Sequence, residues 1–409
     1  MKTTRIPHST FRAPSTLQGL GRIDICHPGH CPGLALKPDL RPSRPIASGA
    51  TLSCARLRPL SSGILASVLC LLLSVLQPFS PSAFSSPAPN PPVKLIFDTD
   101  MGNDVDDALA LAVIHALQNR NACELLAVTL TCPEPLAADY IAAVNTFYGR
   151  PGIPIGVNPN SPSALHPTQR FLEIMLRKNA DGSPAFPRNW DAAKAPHAVD
   201  LLRRILANAA DASIVIIQVG FFTNLAALLD TKPDALSPLN GRDLVAKKVR
   251  LLSIMAGNFS NATDAEKKRI EFNIRHDIPA ARKLADEWPA PIVWGGFEVG
   301  IAVRYPARSM NNDFAYVPSH PIREAYQSYN PTPHERPCWD LVSTLCAIWP
   351  DRPYYGRSPK GRVTVTPEGI SNFVAQPDGR DCHLKVNATQ IARLREVLST
   401  LASEPPKTK

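Results

Sequence analysis

Residues 94–113 read KLIFDTDMGNDVDDALALAV and place five aspartates, Asp98, Asp100, Asp104, Asp106 and Asp107, in ten positions directly after an apolar run. Ionised side by side they would repel one another, so the fold must supply something that offsets the repulsion. A hard cation, Ca²⁺ or Mg²⁺, does this by taking oxygen ligands. Helix capping is the plain alternative, because Asp is favourable at a helix N-terminus without any further role. Capping accounts for one or two of the five, Asp104 and a neighbour, and leaves the rest unexplained. An EF-hand loop starting at Asp98 is excluded, since its sixth position is Asn103 rather than Gly and its twelfth is Leu109 rather than Glu.

The elements that must position these acids follow from periodicity. VKLIF predicts a short apolar strand, DVDDALALAVIHALQ a helix with Val105, Leu109, Val113 and Leu117 on one stripe, and ELLAVTLT the next strand. PLAADYIAAVNTFYG then reads as a helix and IPIGVN as a third strand. The alternation continues through AVDLLRRILANA, SIVIIQVG, TNLAALLD, VRLLSIMAG, IPAARKLADEW and APIVWGG. This is the pattern of an α/β fold: an open, mostly parallel sheet with helices on both faces. Such a sheet binds ligands at the carboxyl ends of its strands, and the acid cluster begins at one of them. Residues 159–196 and 305–335 break the alternation and read as excursions over that rim. PCWDLVSTLCAIWP is helical again, and GRVTVTPEGISNFV reads as a hairpin turning at 367–369.

A strand ending in Asp-x-Asp also opens the phosphoryl-transfer site of haloacid-dehalogenase-type phosphatases. That reading fits Asp98 and Asp100, leaves the Asp106–Asp107 pair idle, and needs a later Lys and a further acidic pair at strand ends, where no convincing Asp-Asp stands. FDTDMGNDVDDALALA instead resembles the N-terminal signature of the nucleoside hydrolases, the inosine/uridine-preferring, calcium-dependent nucleoside N-ribohydrolases, whose usual pattern is Asp-x-Asp-Pro-Gly-x-Asp-Asp-Ala. VGFFTNLAALL at 219–229 resembles the family's Gly-x-x-Thr-Asn segment. MAGN at 255–258, followed by EFNIRHDIPAA, resembles its Gly-Asn and Glu-Phe-Asn segments, and WDLVSTLCAI resembles its late His-Asp helix. The four come in the family's order over residues 93–350.

The resemblance implies that Asp100, Asp107 and Asp340, with the backbone carbonyl of Val219, ligate Ca²⁺. It implies that Asp106 binds the ribose 2-hydroxyl and that Asn258, Glu271 and Asn273 hold the remaining hydroxyls. Asp100 would also take a proton from the calcium-bound water. Each residue has a duller reading: Asn258 as a turn residue after Gly257, Glu271 and Asn273 as a solvated loop, and Asp340 as a helix cap. Three departures stand out. Three residues separate Gly102 from the Asp106–Asp107 pair where the family has one, which makes Asp104 a substitute sugar or metal contact, and Met101 replaces the usual Pro. TLTCPEPLAADY lacks an Asn that reaches the sugar in many members, with Glu134 as a replacement. Trp339 stands where some members carry a His that protonates the departing base; an indole can stack on that base, or simply pack in the core. His276 and His334 are alternative acids.

The net charge of +9 divides unevenly: residues 1–92 hold nine Lys/Arg against two acids, +7, and the remaining 35 basic and 33 acidic residues leave +2. A near-neutral body argues against a nucleic-acid-binding face. The leader also holds 14 of the 42 prolines, and its CHPGHC cluster lacks the second ligand pair of a zinc site. Arg56 and Arg58 precede an apolar run from Gly63 to Leu76 and small residues at 83–86, the layout of a secretory signal peptide. Residues 1–55 therefore read as a disordered or wrongly included leader, 56–86 as signal-peptide-like, 87–92 as a Pro-rich linker and 93–409 as one domain. A secreted or periplasmic protein is the expectation, with a membrane anchor as the alternative.

The function implied is hydrolysis of the N-glycosidic bond of ribonucleosides or related N-ribosides, through an oxocarbenium-like transition state that nearby carboxylates stabilise. The rival is a non-catalytic sugar or nucleoside binder on the same fold. Its partner in either case is a small nucleoside or riboside, and a homo-oligomer stays open.

Overall fold

Apolar runs without alternation need cover on both faces of a sheet. A computed structural model describes residues 91–162, 171–260 and 270–407, and in it β1 (Val93–Thr99) is buried from Leu95 to its end. Nine strands follow: β2 (Cys123–Leu130), β3 (Ile155–Gly156), β4 (Ile214–Gln218), β5 (Val249–Met255), β6 (Ile292–Gly295), β7 (Gly356–Arg357), β8 (Gly361–Val365), β9 (Ser371–Ala375) and β10 (Asp381–Lys385). They make one sheet in the order β3-β2-β1-β4-β5-β6-β10-β8-β9, with β7 paired to β10. Every pairing from β3 across to β10 is parallel, and β7, β8 and β9 join antiparallel. The open, mostly parallel α/β sheet is as the alternation predicts.

One apolar layer holds helices Asp106–Asn119, Trp339–Ile348 and Ala388–Ala402; the other holds Ala198–Asn208, Thr223–Asp230, Gly241–Lys248 and Ile278–Glu287. The helix Asp106–Asn119 is buried from Asp106 through Leu117 rather than on one stripe alone. Sheet lies beneath it and helices flank it, so its Ala and Leu residues find cover all round. The connection order sets the site. After β3 the chain returns to the opposite side of β1 and lays down β4, so the carboxyl ends of β1 and β4 flank the switch point where such sheets bind ligands. Asp100 follows the end of β1, and Val219 follows the end of β4.

Two regions differ from expectation. The 305–335 excursion carries helices Ala307–Asn312 and Pro321–Tyr329. Pro321 occupies the first turn, where its missing N–H costs nothing, and Ile322, Ala325, Tyr326 and Tyr329 form a buried face. At the other end β10, DCHLK, pairs parallel with β6 despite its polar sequence, and the helix Ala388–Ala402 that follows packs against Asp106–Asn119. The hairpin of β8 and β9 turns at Gly369, whose φ of 90° favours glycine. The leader, the signal-like segment and the linker through residue 90 lie outside the described residues. Among the described residues no helix is long and apolar enough to cross a membrane.

Candidate active site

Two helix N-termini meet over the end of β1. Asp106 and Asp107 occupy the first turn of one helix and Asp340 the first turn of the other, where the backbone dipoles favour negative charge. The Asp340 N–H donates to Asp106 Oδ2 at 3.1 Å, joining residues 234 apart in sequence. Carboxylate oxygens of Asp106, Asp107 and Asp340 lie within 4.8 Å of one another. Thr99 Oγ1 donates to Asp107 Oδ1, and Asn103 Nδ2 donates to Asp100 Oδ2 at 2.7 Å. The extra residues after Gly102 therefore orient Asp100 through Asn103.

Capping does not explain the acids. The helix Asp106–Asn119 begins at Val105 without a side-chain cap, and so does Trp339–Ile348 at Cys338. Asp104, expected as a cap or a substitute sugar or metal contact, lines the same cavity and pairs there with Arg336. Arg336 Nε donates to its Oδ1 at 2.7 Å and Arg336 Nη2 to its Oδ2. Asp98 leaves the cluster: its Oδ1 accepts from Thr129 Oγ1 at 2.5 Å and Asn224 Nδ2 at 2.8 Å, tying β1 to β2 and to the Thr-Asn turn after β4. The Asp98–Asp100 pair needed for phosphoryl transfer is thus divided between two environments.

Burial pushes the Asp106, Asp107 and Asp340 carboxyls well above the usual carboxylate range, and repulsion from neighbouring aspartates, Asp104 acting on all three, raises them further. Asp100 rises to about 7 for the same first reason, against the lowering hydrogen bond from Asn103. A buried set of carboxylates beside a strand-end carbonyl is the donor chemistry of a hard divalent cation, so these residues fit one. Asp106 stands in the tightest triad where the resemblance placed Asp100, while Asp100 is the largest charge acting on Asp107. Asn273 Nδ2 donates to the Val219 carbonyl at 2.8 Å, leaving that oxygen one further lone pair.

A cavity of about 350 Å³ opens above this cluster, with Asp100, Asp106, Asp107, Asp340 and Val219 at its floor. Residues 95–393 match the family described as inosine-uridine preferring nucleoside hydrolase. The chain belongs to that family. Its members are metal-dependent hydrolases of N-glycosyl bonds. An uncharacterized protein of Schizosaccharomyces pombe is 29% identical over 198 residues, a match spanning 47% of this chain and 57% of that protein, so the chain covers little more than half of that relative's length. Among solved structures, a plant nucleoside hydrolase is similar at 20% identity and a TM-score of 0.54, covering 77% of this chain and 100% of its own. An inosine-guanosine nucleoside hydrolase gives 21%, 0.56, 76% and 98%. The inosine-uridine preferring nucleoside hydrolase of Bacillus anthracis gives 18%, 0.56, 75% and 99%. At these identities the likeness is one of fold.

The other residues singled out by the family resemblance separate in space. Glu271 and Asn273 line the cavity, but neither is a solvated loop residue. Glu271 caps the helix Phe272–His276, accepting from the N–H groups of Asn273 at 2.8 Å and Ile274 at 3.1 Å, and burial still carries its carboxyl up to about 7. Trp339 lines the cavity together with Phe297, their rings stacked at 5.6 Å, and its Nε1–H is spent on the Phe297 carbonyl at 3.0 Å. Asn258 faces an adjoining cavity instead. Its N–H donates to Ser371 Oγ at 2.9 Å and its Oδ1 accepts from Ser260 Oγ at 2.7 Å. Glu134 caps the helix Pro135–Phe147 and does not line the acid cavity. Nor do the two histidines: His276 packs on Phe272 at 4.4 Å and His334 stacks on Tyr326 at 4.3 Å.

Tyr329 and Arg336 complete the wall, and no motif announced either. The turn after β4 is held from outside its own helix. Asp277 Oδ2 accepts from the Phe222 N–H at 3.1 Å and from Thr223 Oγ1 at 2.7 Å, a cap supplied by a later element. At Gly220 an added Cβ would collide with Thr131 Oγ1 and with the backbone of Thr99 and Asp100. Gly220→Ala is therefore expected to cost about 1–3 kcal/mol of stability by overpacking. It should also displace Asp100, lowering activity more than the melting temperature alone explains; unfolding curves measured beside turnover check this.

Proposed function

We propose that the chain hydrolyses the N-glycosidic bond of ribonucleosides or closely related N-ribosides, with Ca²⁺ held by the buried carboxylates. The observation that carries this reading is that one cavity is lined both by the carboxylate cluster and by the rings of Phe272, Phe297, Tyr329 and Trp339, a pairing that suits the polar sugar and flat base of a nucleoside. Asp100, Asp107, Asp340 and the Val219 carbonyl would hold the cation, with Asp106 turned to the sugar. When bound, the cation supplies Lewis acidity and an anchor for vicinal hydroxyls. Asp100 accepts the proton of the attacking water as its oxygen bonds to the anomeric carbon. The C–N bond breaks with its electron pair moving to the base, and the floor carboxylates stabilise the positive charge that develops on the sugar. Asn273 and Glu271 close the sugar end. Phe297 and Trp339 stack on the base and exclude water, and because the indole N–H is already bonded, Trp339 acts by its face.

The test is release of free ribose from a panel of purine and pyrimidine nucleosides by the full chain, with chelator and after Ca²⁺ is restored. Release that chelator abolishes and Ca²⁺ restores is the expected result. No release from any member, with Ca²⁺ bound tightly, would sink the catalytic reading and leave a binder. Export belongs to the same proposal and is supported by the basic, apolar and small-residue layout of 56–86. Intact-mass measurement of secreted material checks it, and a mature N-terminus near residue 30 would overturn it.

A further inference from the structure

The cavity holds one feature that riboside binding and water activation leave unused. Arg336 lines the aromatic wall, its guanidinium carbon 5.0 Å from the ring centre of Tyr329 and 5.2 Å from that of Trp339. Asp104 grips it along one edge, through Nε and Nη2, and the Tyr326 hydroxyl accepts from its backbone N–H at 2.9 Å. That grip leaves both Nη1 protons and the second Nη2 proton, the other edge of the guanidinium, as a fork of donors for a further partner. Some 24% of the side chain stays exposed, and both Asp104 and Asp106 act on its charge. Neither His276 nor His334 lines the cavity and the Trp339 N–H is taken, so the donors left beside this wall are the Arg336 guanidinium and the Tyr329 hydroxyl.

We infer that Arg336 is the residue that acts on the departing base, by charge and paired hydrogen bonds rather than by giving up a proton. This rests on the riboside reading above, which places the base against the aromatic wall. As the C–N bond breaks, its electron pair leaves with the base, which departs as an anion held on the Nη1 and Nη2 donors. Water delivers its oxygen to the anomeric carbon and its proton to Asp100, and the released base takes a proton from solvent. A guanidinium stays charged at any working pH, so it stabilises the anion without titrating. The Asp104 clamp and the two rings hold the fork in place before the charge forms, which is what gives such donors their effect. The fork suits a base edge with two adjacent acceptors, a carbonyl oxygen beside a ring nitrogen, and an amino group at either position breaks the match.

The experiment compares inosine with p-nitrophenyl β-riboside, whose leaving group departs as a stable anion without help. Cleavage of the nitrophenyl compound by the wild-type chain tests the hydrolase reading by itself. Arg336→Gln is then expected to lower kcat/KM for inosine by about 10²–10³-fold, the loss typical of one preorganised donor group, and to change the inosine-to-nitrophenyl ratio by most of that factor. Arg336→Lys keeps a charge for Asp104 and loses the fork, so it should melt close to wild type and still lose most of the ratio. It decides the matter if the Gln variant fails to fold. Wild-type kcat on inosine should show no descending limb between pH 7 and about 9, because no acid of ordinary pKa is needed. An unchanged ratio in both variants, or such a limb, overturns the inference. Should the wild type cleave neither compound, calorimetry with hypoxanthine and adenine decides. Hypoxanthine binding about tenfold tighter, with the preference lost in Arg336→Gln, supports the contact. Equal affinities overturn it.

Discussion

Asp100→Asn is expected to lower kcat for ribose release by about 10²–10⁴-fold, the range for removing a positioned general base. The same change should leave stability in chelator unchanged or higher. Burial pushes the Asp100 carboxyl up to about 7, so above that pH the native side chain is a charge held in an unfavourable place. Asparagine has the same shape without the charge, and its side-chain oxygen can still accept from Asn103 Nδ2. A variant that is inactive yet no less stable would show strain maintained for function. Because Asp100 also belongs to the implied ligand set, the variant should be assayed over a Ca²⁺ titration. Activity restored by high Ca²⁺ would make Asp100 a ligand and not the base, and unchanged activity throughout would remove it from both roles.

Calcium is expected to raise the melting temperature, and to do so far more at pH 8 than at pH 5. Without a cation, Asp98, Asp100 and Glu271 have carboxyls pushed up to about 7, and Asp106, Asp107 and Asp340 lie well above the ordinary range. Each group with a raised folded pKa binds its proton more tightly folded than unfolded. The stability it contributes is complete below the unfolded value near 4 and is lost as pH climbs through the folded value. Chelated protein should therefore be more stable at pH 5 than at pH 8. A cation reverses this, since it needs the deprotonated oxygens and competes with protons for them. At roughly a thousandfold excess over its Kd it adds about 4 kcal/mol, on the order of 5–10 °C for a domain of this size. Scanning calorimetry at both pH values, with chelator and with Ca²⁺, checks the sign. Equal Ca²⁺ shifts at pH 5 and 8 would mean the cation binds outside the carboxylate cluster.

The acid-rich turn after β1, the alternation of strand and helix, and the order of the four motifs were legible because each is local. Periodicity decides whether VKLIF and SIVIIQ are strands, and the aspartates stand within a few residues of the strand end whatever the rest of the chain does. The polar strand β10 and the helix Ala388–Ala402 were not legible, since DCHLK becomes a strand by pairing with β6. Side-chain direction was hidden too. Asp98 and Asp100 sit two residues apart, yet one is bound to Thr129 and Asn224 and the other lines the cavity, because the strand ends between them.

Pairing across the chain carried the rest. Asn258 was expected at the sugar and faces the adjoining cavity, because its side chain bonds Ser260 in its own turn and its backbone bonds Ser371 of β9. Glu271 reaches the cavity only by capping its own helix. Asp104 offered a spare contact in the sequence, and in the cavity it clamps Arg336, 232 residues away. The sequence by itself determined the chemistry of the floor, since carboxylates must be clustered to repel and repulsion asks for a cation. Only the tertiary structure decided the wall. Which edge of a guanidinium stays free depends on the partner it meets, and that partner is chosen when two helix N-termini pack over one strand end.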